Sequence, residues 1–154
     1  MKYQIIEKES FSVIGKSALI SNTDKYQQLP NFWQACHNDR TIEYLHSIAG
    51  DIVMGIGSCA DSEGNFNYMI GARSDIQPPQ NWESWIVPKS LWVIFEPVIS
   101  TPDRVGSVWE YIFNVFFSQG NYQHANTFDL EVNYRMKNTS KDYTCEIWIP
   151  VVNL

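Results

Sequence analysis

The chain repeats one order of predicted segments, and this repetition is what most constrains its fold. Each half reads as strand, strand, helix, strand and strand, and a stretch with two adjacent prolines, which cannot donate to a sheet, separates the halves. A Trp-x4-Asn pattern begins at Trp33 and again at Trp109, 76 residues later. The sequence therefore predicts a single domain over residues 1–154, with pseudo-repeats at about 1–76 and 80–154.

Runs of apolar, β-branched and aromatic residues with period-two alternation predict the strands of both halves. The turn residues between two of these runs include Gly64, which can adopt a positive φ and so close a hairpin. A further turn is expected around 138–141, before the last strand. The predicted strands cover 2–20 (one bent or two short strands), 51–59, 65–73, 83–87, 91–96, 127–135 and 143–150.

Helices are predicted where apolar residues recur at helical spacing between capping residues. Pro30 is expected in the first turn of one helix, because an amide hydrogen is not needed there. A short helical stretch follows and is expected to end at Gly50. The clearest helix begins after Thr101, which can cap it, and is expected to end at Gly120.

Composition and charge exclude several classes of function. The net charge of −6 argues against nucleic-acid binding, which needs a basic surface to displace counterions. No run is long and apolar enough to cross a bilayer, and the charged start does not resemble a signal peptide. Three cysteines without close spacing predict reduced thiols in a cytoplasmic protein. No residue pattern indicates a metal ion, a cofactor or a catalytic nucleophile.

The last predicted strand places a carboxylate among apolar and aromatic residues. Read at period two, Glu146 and Trp148 share one face and Cys145 lies on the other. A carboxylate is costly to bury and an indole is costly to expose, so the pair suits a cleft that receives a lipophilic cation. The alternative is a half-exposed sheet face on which Glu146 points into water. These residues alone leave both interpretations open.

Three segments resemble motifs of one known family, the GyrI-like effector-binding domain. This module forms the C-terminal half of AraC-type and MerR-type multidrug regulators and also occurs alone. The resemblance extends from about residue 3 to residue 151. It depends on the predicted strand Phe66–Gly71, the helical segment Val108–Phe113 and the final strand Cys145–Pro150.

The resemblance implies an α+β fold made of a duplicated βαββ unit, in which a concave antiparallel sheet is flanked by two helices. It also implies a cleft between the halves that binds lipophilic, often cationic, compounds. By the same resemblance, Glu146 is the acidic residue that meets the cation. Asn67 and Phe113 stand where the family has an Asp and a Tyr, so the polar details of the pocket are expected to differ.

Five aromatic residues are expected to bind the ligand together with Glu146. Tyr68 belongs to the strand that corresponds to the strand of Glu146, and its hydroxyl can close the cleft opposite the carboxylate. Trp148 shares the face of Glu146 and is the best indole for stacking on a cation. Any of the five could instead pack in the core, because aromatic side chains fill cores as readily as they line pockets. The five are Tyr68, Trp33, Trp92, Trp109 and Trp148.

The predicted function is a binding module for lipophilic cations, acting in transcriptional regulation or drug sequestration rather than in catalysis. An alternative from another class is a hydrolase of reactive small molecules, in which Glu146 and Tyr68 act as general acid and base. A weaker alternative is a protein-interaction role, as in the gyrase-inhibiting members. A regulatory role would need a separate DNA-binding partner, and exposed edge strands would permit a homodimer.

Overall fold

The computed structural model describes residues 1–136 and 142–154, and the turn predicted around 138–141 lies outside these ranges. Across the described residues, ten strands form one antiparallel sheet, which confirms the predicted α+β class. The strands are β1 (Tyr3–Lys8), β2 (Phe11–Ile20), β3 (Ile52–Ser58), β4 (Phe66–Arg73), β5 (Glu83–Val87), β6 (Ser90–Phe95), β7 (Val98–Ile99), β8 (Tyr122–His124), β9 (Phe128–Arg135) and β10 (Tyr143–Asn153). The α-helices are α1 (Lys25–Asn38), α2 (Thr41–Ala49) and α3 (Pro102–Tyr111).

The strand order has a palindromic arrangement. The main path is β1-β6-β10-β9-β3-β4-β2-β5, and β7 and β8 pair with β10 outside it. Exchanging each strand of the first half with its counterpart in the second reverses this order, so a pseudo-two-fold axis passes between β3 and β9. Each half borrows an edge strand from the other, because β1 pairs with β6 and β5 pairs with β2. This symmetry is what pseudo-repeats require, and their boundaries at about 1–76 and 80–154 stay a prediction.

The register at the centre of the sheet sets the two halves residue against residue. Gly55 of β3 pairs with Glu131 of β9, and the two are separated by the same 76 residues that relate the predicted helices. Further along, Glu131 pairs with Ile147 of β10, whereas Glu146 pairs with Val132. Because successive side chains of a strand point to opposite faces, Glu131 and Glu146 lie on opposite faces of the sheet.

The sheet is curved, and a core of its own fills the concave face. Trp85 of β5 stacks on Phe128 of β9 with ring centroids 5.5 Å apart, although three strands lie between β5 and β9. Strands of a flat sheet stand about 4.8 Å apart, so only strong curvature allows this contact. Leu130, Val132 and Trp92 belong to this concave core. The helices cover the opposite, convex face, with α1 and α2 on the first half and α3 on the second.

The helices follow the predicted order, with one correction at the start of the first. α1 begins at Lys25, so Pro30 lies in its second turn and not in its first. Because proline has no amide hydrogen, the carbonyl of Tyr26 lacks its usual backbone partner four residues later. The predicted helix ends are confirmed at Gly50 and Gly120, whose φ angles are 80° and 76°. No helix in the described ranges is long and apolar enough to cross a membrane.

The helix α3 continues beyond its regular part. Ile112–Phe116 forms a π-helical turn and Phe117–Gln119 a 3-10 turn before the chain reaches Gly120. The helical spacing predicted from the sequence therefore holds to the expected end, but the backbone hydrogen bonds change pattern after Tyr111. Ile112 and Phe116 still face the sheet and are buried against β6 and β10. The irregular turn keeps the apolar stripe on the core side.

Candidate ligand-binding site

A cavity of about 660 Å³ opens between α1 and α3 on the convex face of the sheet. Its floor consists of the four central strands, and includes Val53 of β3, Tyr68 of β4, Glu131 of β9 and Cys145 of β10. The inner faces of α1 and α3 form its two walls. Since β3 and β4 belong to the first half and β9 and β10 to the second, the cavity lies across the pseudo-two-fold axis.

Glu131 is the carboxylate at the floor of this cavity. The hydroxyl of Tyr68 donates to its Oε1 at 3.1 Å, and the indole N–H of Trp109 donates to its Oε2 at 3.2 Å. The indole N–H of Trp33 in turn donates to the Tyr68 hydroxyl at 3.1 Å. These bonds run from the α1 wall across the floor to the α3 wall. All the donors are neutral, and no cationic side chain in the described ranges forms an ion pair with Glu131.

Burial controls the protonation of this network. Desolvation raises the pKa of Glu131 above its ordinary value, and the hydrogen bonds from Trp109 and Tyr68 oppose that increase. The pKa of Tyr68 is raised well above its usual value, by burial first and by the charge of Glu131 second. Tyr68 is therefore a neutral donor at physiological pH. An ionised Glu131 would be stabilised by any cation that enters the cavity.

Gly55 gives the Tyr68 hydroxyl the room to reach Glu131. It is buried on β3, directly opposite Glu131. A Cβ atom at this position would overlap the hydroxyl oxygen of Tyr68, and it would lie 2.7 Å from Cζ of that ring and 3.2 Å from the ring of Trp33. Gly55 and Glu131 occupy equivalent positions in the two halves. At this position the first half therefore contributes space and the second half contributes a charge.

Aromatic rings form much of the cavity surface. Trp33 and Trp109 are half-buried and belong to the α1 and α3 walls. Trp33 packs edge-on against the ring of Tyr68, with centroids 6.5 Å apart. At another part of the lining, the hydroxyl of Tyr143 lies 2.8 Å from Nε2 of His46, which ties β10 to α2. Such a surface suits an apolar ligand with aromatic groups.

The structure brings three of the six predicted site residues to the cavity. Tyr68, Trp33 and Trp109 line it, and all three belong to the hydrogen-bond network of the floor. The predicted correspondence between the strands of the two halves holds for β4 and β10. By register, however, the position equivalent to Tyr68 is that of Cys145, which also lines the cavity.

The other three predicted site residues lie on the concave face, and this corrects their expected position. Glu146 accepts hydrogen bonds from the Tyr134 hydroxyl at 2.8 Å and from the Trp148 indole at 3.3 Å. Trp148 packs edge-on against the fully buried Trp92, with ring centroids 6.0 Å apart. The physical reason is the parity of β10, which turns Glu146 away from the helices. For the same reason Glu146 and Tyr68 do not meet as an acid–base pair.

Glu131 is the candidate functional residue that sequence analysis did not identify. Its strand alternates cleanly between apolar and polar residues, a pattern that is also typical of a strand with one side in water. The offset between the two predicted helices was the available clue. Applied to the strands, the same offset pairs Gly55 with Glu131 at the centre of the molecule.

Fold and site together define a class of protein, an α+β effector-binding domain with a ligand cavity between two pseudo-symmetric halves. A family model described as "Cass2: Integron-associated effector binding protein" matches residues 4–151, and the chain belongs to this family. The membership confirms the effector-binding class that the sequence motifs predicted.

Solved structures share this fold over nearly the whole chain. SAV2435 bound to tetraphenylphosphonium is similar with a TM-score of 0.81 and 23% identity, covering 99% of this chain and 94% of that one. The integron cassette protein VCH_CASS2 of Vibrio cholerae has a TM-score of 0.73 and 21% identity, with coverages of 97% and 95%. The EcmrR C-terminal domain has a TM-score of 0.62 and 14% identity, covering 99% of this chain and 98% of that one. No curated protein sequence matches the chain.

Proposed function

We propose that the protein binds lipophilic cations in the cavity between α1 and α3, with Glu131 as the counter-charge. The observation that carries this proposal is a carboxylate without a cationic partner in the described ranges, held by neutral donors at the floor of an aromatic-walled cavity. A charge in such a place is costly until a partner of opposite sign joins it. A lipophilic cation supplies the charge and the apolar surface together.

One relative supports this choice of ligand class. SAV2435, which has the same fold, is bound to tetraphenylphosphonium in its structure. That ion combines one delocalised positive charge with four aromatic arms. The cavity described above combines one carboxylate with aromatic walls, so the chemistry of the two is complementary. The description of the family as effector binding supports a small-molecule ligand as well.

We propose further that ligand binding acts through another molecule, unless the protein simply sequesters its ligand. A net charge of −6 disfavours direct contact with DNA, so regulation would use a separate DNA-binding partner or a homodimer formed at the edge strands β1 and β5. EcmrR, whose fold is similar, is solved in complex with DNA, and this chain spans 58% of that EcmrR chain. Free thiols at Cys36, Cys59 and Cys145 support a cytoplasmic location.

Calorimetric titration with methyltriphenylphosphonium tests the role of Glu131. Glu131→Gln is expected to weaken binding by about 30-fold or more, because a desolvated charge pair is typically worth at least ~2 kcal/mol. Glu146→Gln is the matched control, since Glu146 also accepts from a tyrosine and an indole but lies on the opposite face. We expect it to bind within about threefold of the wild type.

The neutral, similarly shaped triphenylphosphine oxide separates charge from shape. It should bind to the wild type much more weakly than the cation does. Its affinity should be the same for the wild type and for Glu131→Gln, because it carries no charge for Glu131 to attract. Equal losses in the two Gln variants, or a neutral compound that binds as tightly as the cation, would refute Glu131 as the counter-charge.

A further inference from the structure

A second charge lines the same cavity, and it has the opposite sign. Lys25, the first residue of α1, is half-buried at the cavity wall. Its ammonium group lies 5.4 Å from the ring centroid of the exposed Tyr26. Within the described ranges Lys25 forms no ion pair, in contrast to Lys16, Lys89 and Arg135, which each pair with a carboxylate. Lys25 is therefore an uncompensated cation at a site where a cationic ligand is proposed.

The two charges are well separated along the cleft. Glu131 is tied through Tyr68 to Trp33, so it lies level with that residue of α1. Lys25 precedes Trp33 by eight residues, which corresponds to about 12 Å along a helix. Asp24, the N-cap residue of α1, carries a charge opposite to that of Lys25 but does not line the cavity, so Lys25 sets the sign of this wall. The cavity thus has a negative floor and a positive wall at one end.

We infer that the cavity selects zwitterionic amphipathic molecules, in which a lipophilic cationic centre and an anionic group such as a carboxylate are about 8–12 Å apart. The cationic centre would occupy the floor at Glu131, and the anionic group would reach Lys25 and the start of α1. This inference rests on the proposed function and deepens it by naming a narrower class of ligand.

Lys25 distinguishes between ligands that Glu131 alone would treat alike. A simple cation gains from Glu131 but is repelled by Lys25, whereas a zwitterion gains at both ends. Because Lys25 is partly exposed to solvent, its contribution is screened and should amount to about fivefold in affinity. The preference should decrease as the ionic strength rises, since it depends on a charge near the solvent.

(5-Carboxypentyl)triphenylphosphonium and its ethyl ester are a matched pair of probes for this inference, because the extended arm places the carboxylate about 8–9 Å from the phosphorus atom. Both carry the same delocalised cation, and only the free acid carries a carboxylate. Calorimetric titration of the wild type should show the acid bound about fivefold more tightly than the ester. Lys25→Gln should abolish this preference and leave ester binding unchanged or slightly stronger. Lys8→Gln is the control, because Lys8 also lies over an aromatic ring, that of Trp148, but on the concave face.

The outcomes separate this inference from the proposed function. Equal affinity for the acid and the ester in the wild type, or a preference that survives Lys25→Gln, overturns selection of zwitterions. In either of those cases, an ester that binds to the wild type and loses its affinity in Glu131→Gln shows that the cation site stands although the inference fails. If neither compound binds, both the inference and the proposed function fail. A preference that disappears equally in Lys8→Gln would trace the effect to overall charge and would also overturn the role of Lys25.

Discussion

The two carboxylates at the centre of the sheet have the same kinds of hydrogen-bond partners but different surroundings. Glu131 accepts from the hydroxyl of Tyr68 and the indole of Trp109. Glu146 accepts from the hydroxyl of Tyr134 and the indole of Trp148. The residues stand on neighbouring strands and face opposite ways. Hydrogen-bond partners therefore make a partly buried carboxylate tolerable, but they do not by themselves make a ligand site.

The space beyond each carboxylate is what separates them. On the concave face, Trp148 packs against Trp92, and the ammonium group of Lys8 lies 5.2 Å from the Trp148 ring centroid. On the convex face, the walls of α1 and α3 stand apart and leave a cavity above Glu131. A site needs room for a ligand as well as a charge, and the face that carries the helices provides both at Glu131.

The largest expected effect comes from removing the space that Tyr68 occupies. In Gly55→Ala the new methyl group would displace the Tyr68 hydroxyl from Glu131, while the environment of Glu146 stays intact. We expect about 1–3 kcal/mol less stability in urea unfolding, as is typical of overpacked cores, and at least tenfold weaker binding of methyltriphenylphosphonium.

Gly57→Ala provides a close control for this substitution on the same strand. A Cβ there would lie 3.8 Å from its nearest neighbour, the ring of Tyr68, which is an ordinary contact. It should therefore leave both stability and binding near those of the wild type. If Gly55→Ala behaves like Gly57→Ala, the close fit of Tyr68 over Gly55 does not control the site.

A smaller effect should distinguish the two tyrosines. Tyr68→Phe leaves the Trp33 indole without an acceptor and Glu131 without one donor, whereas Tyr134→Phe affects only the bond to Glu146. A hydrogen bond contributes about 1 kcal/mol net, so Tyr68→Phe, which loses two, should lose about 2 kcal/mol and Tyr134→Phe, which loses one, about 1 kcal/mol. Urea unfolding of the two variants measures the difference, and equal losses would contradict the two-bond role of Tyr68.

The smallest expected effect is a pH dependence of stability in the free protein. A raised pKa means that the folded state favours protonated Glu131, so this contribution to stability is present at low pH and is lost as the pH rises through the raised pKa. The Tm of Glu131→Gln should therefore exceed that of the wild type by the largest margin at pH 8. This difference in Tm should shrink as the pH falls toward 5. A difference that does not change with pH would argue against a desolvated Glu131.

Much of the fold could be predicted because its determinants are local. The caps at Thr101 and Gly120, the turn at Gly64 and the alternation of the strands each depend on neighbouring residues, and all appear where they were expected. The start of α1 was misplaced because a proline tolerated in the first turn can also lie in the second. Here the residues from Lys25 onward already form the first turn of α1 before the chain reaches Pro30.

The sequence by itself determined the order of the main strands and helices, the offset between the halves and the family. It also predicted six site residues, of which Tyr68, Trp33 and Trp109 line the cavity. Only the tertiary structure decided which carboxylate accompanies them. A period-two pattern shows that neighbours on a strand face opposite ways, but it does not show which face the helices cover. In β10 the residues that face the helices are mostly buried and those on the concave face are mostly half-buried, so neither face is an open surface. The curvature of the sheet and the register between β9 and β10 place Glu131, and not Glu146, beneath the helices.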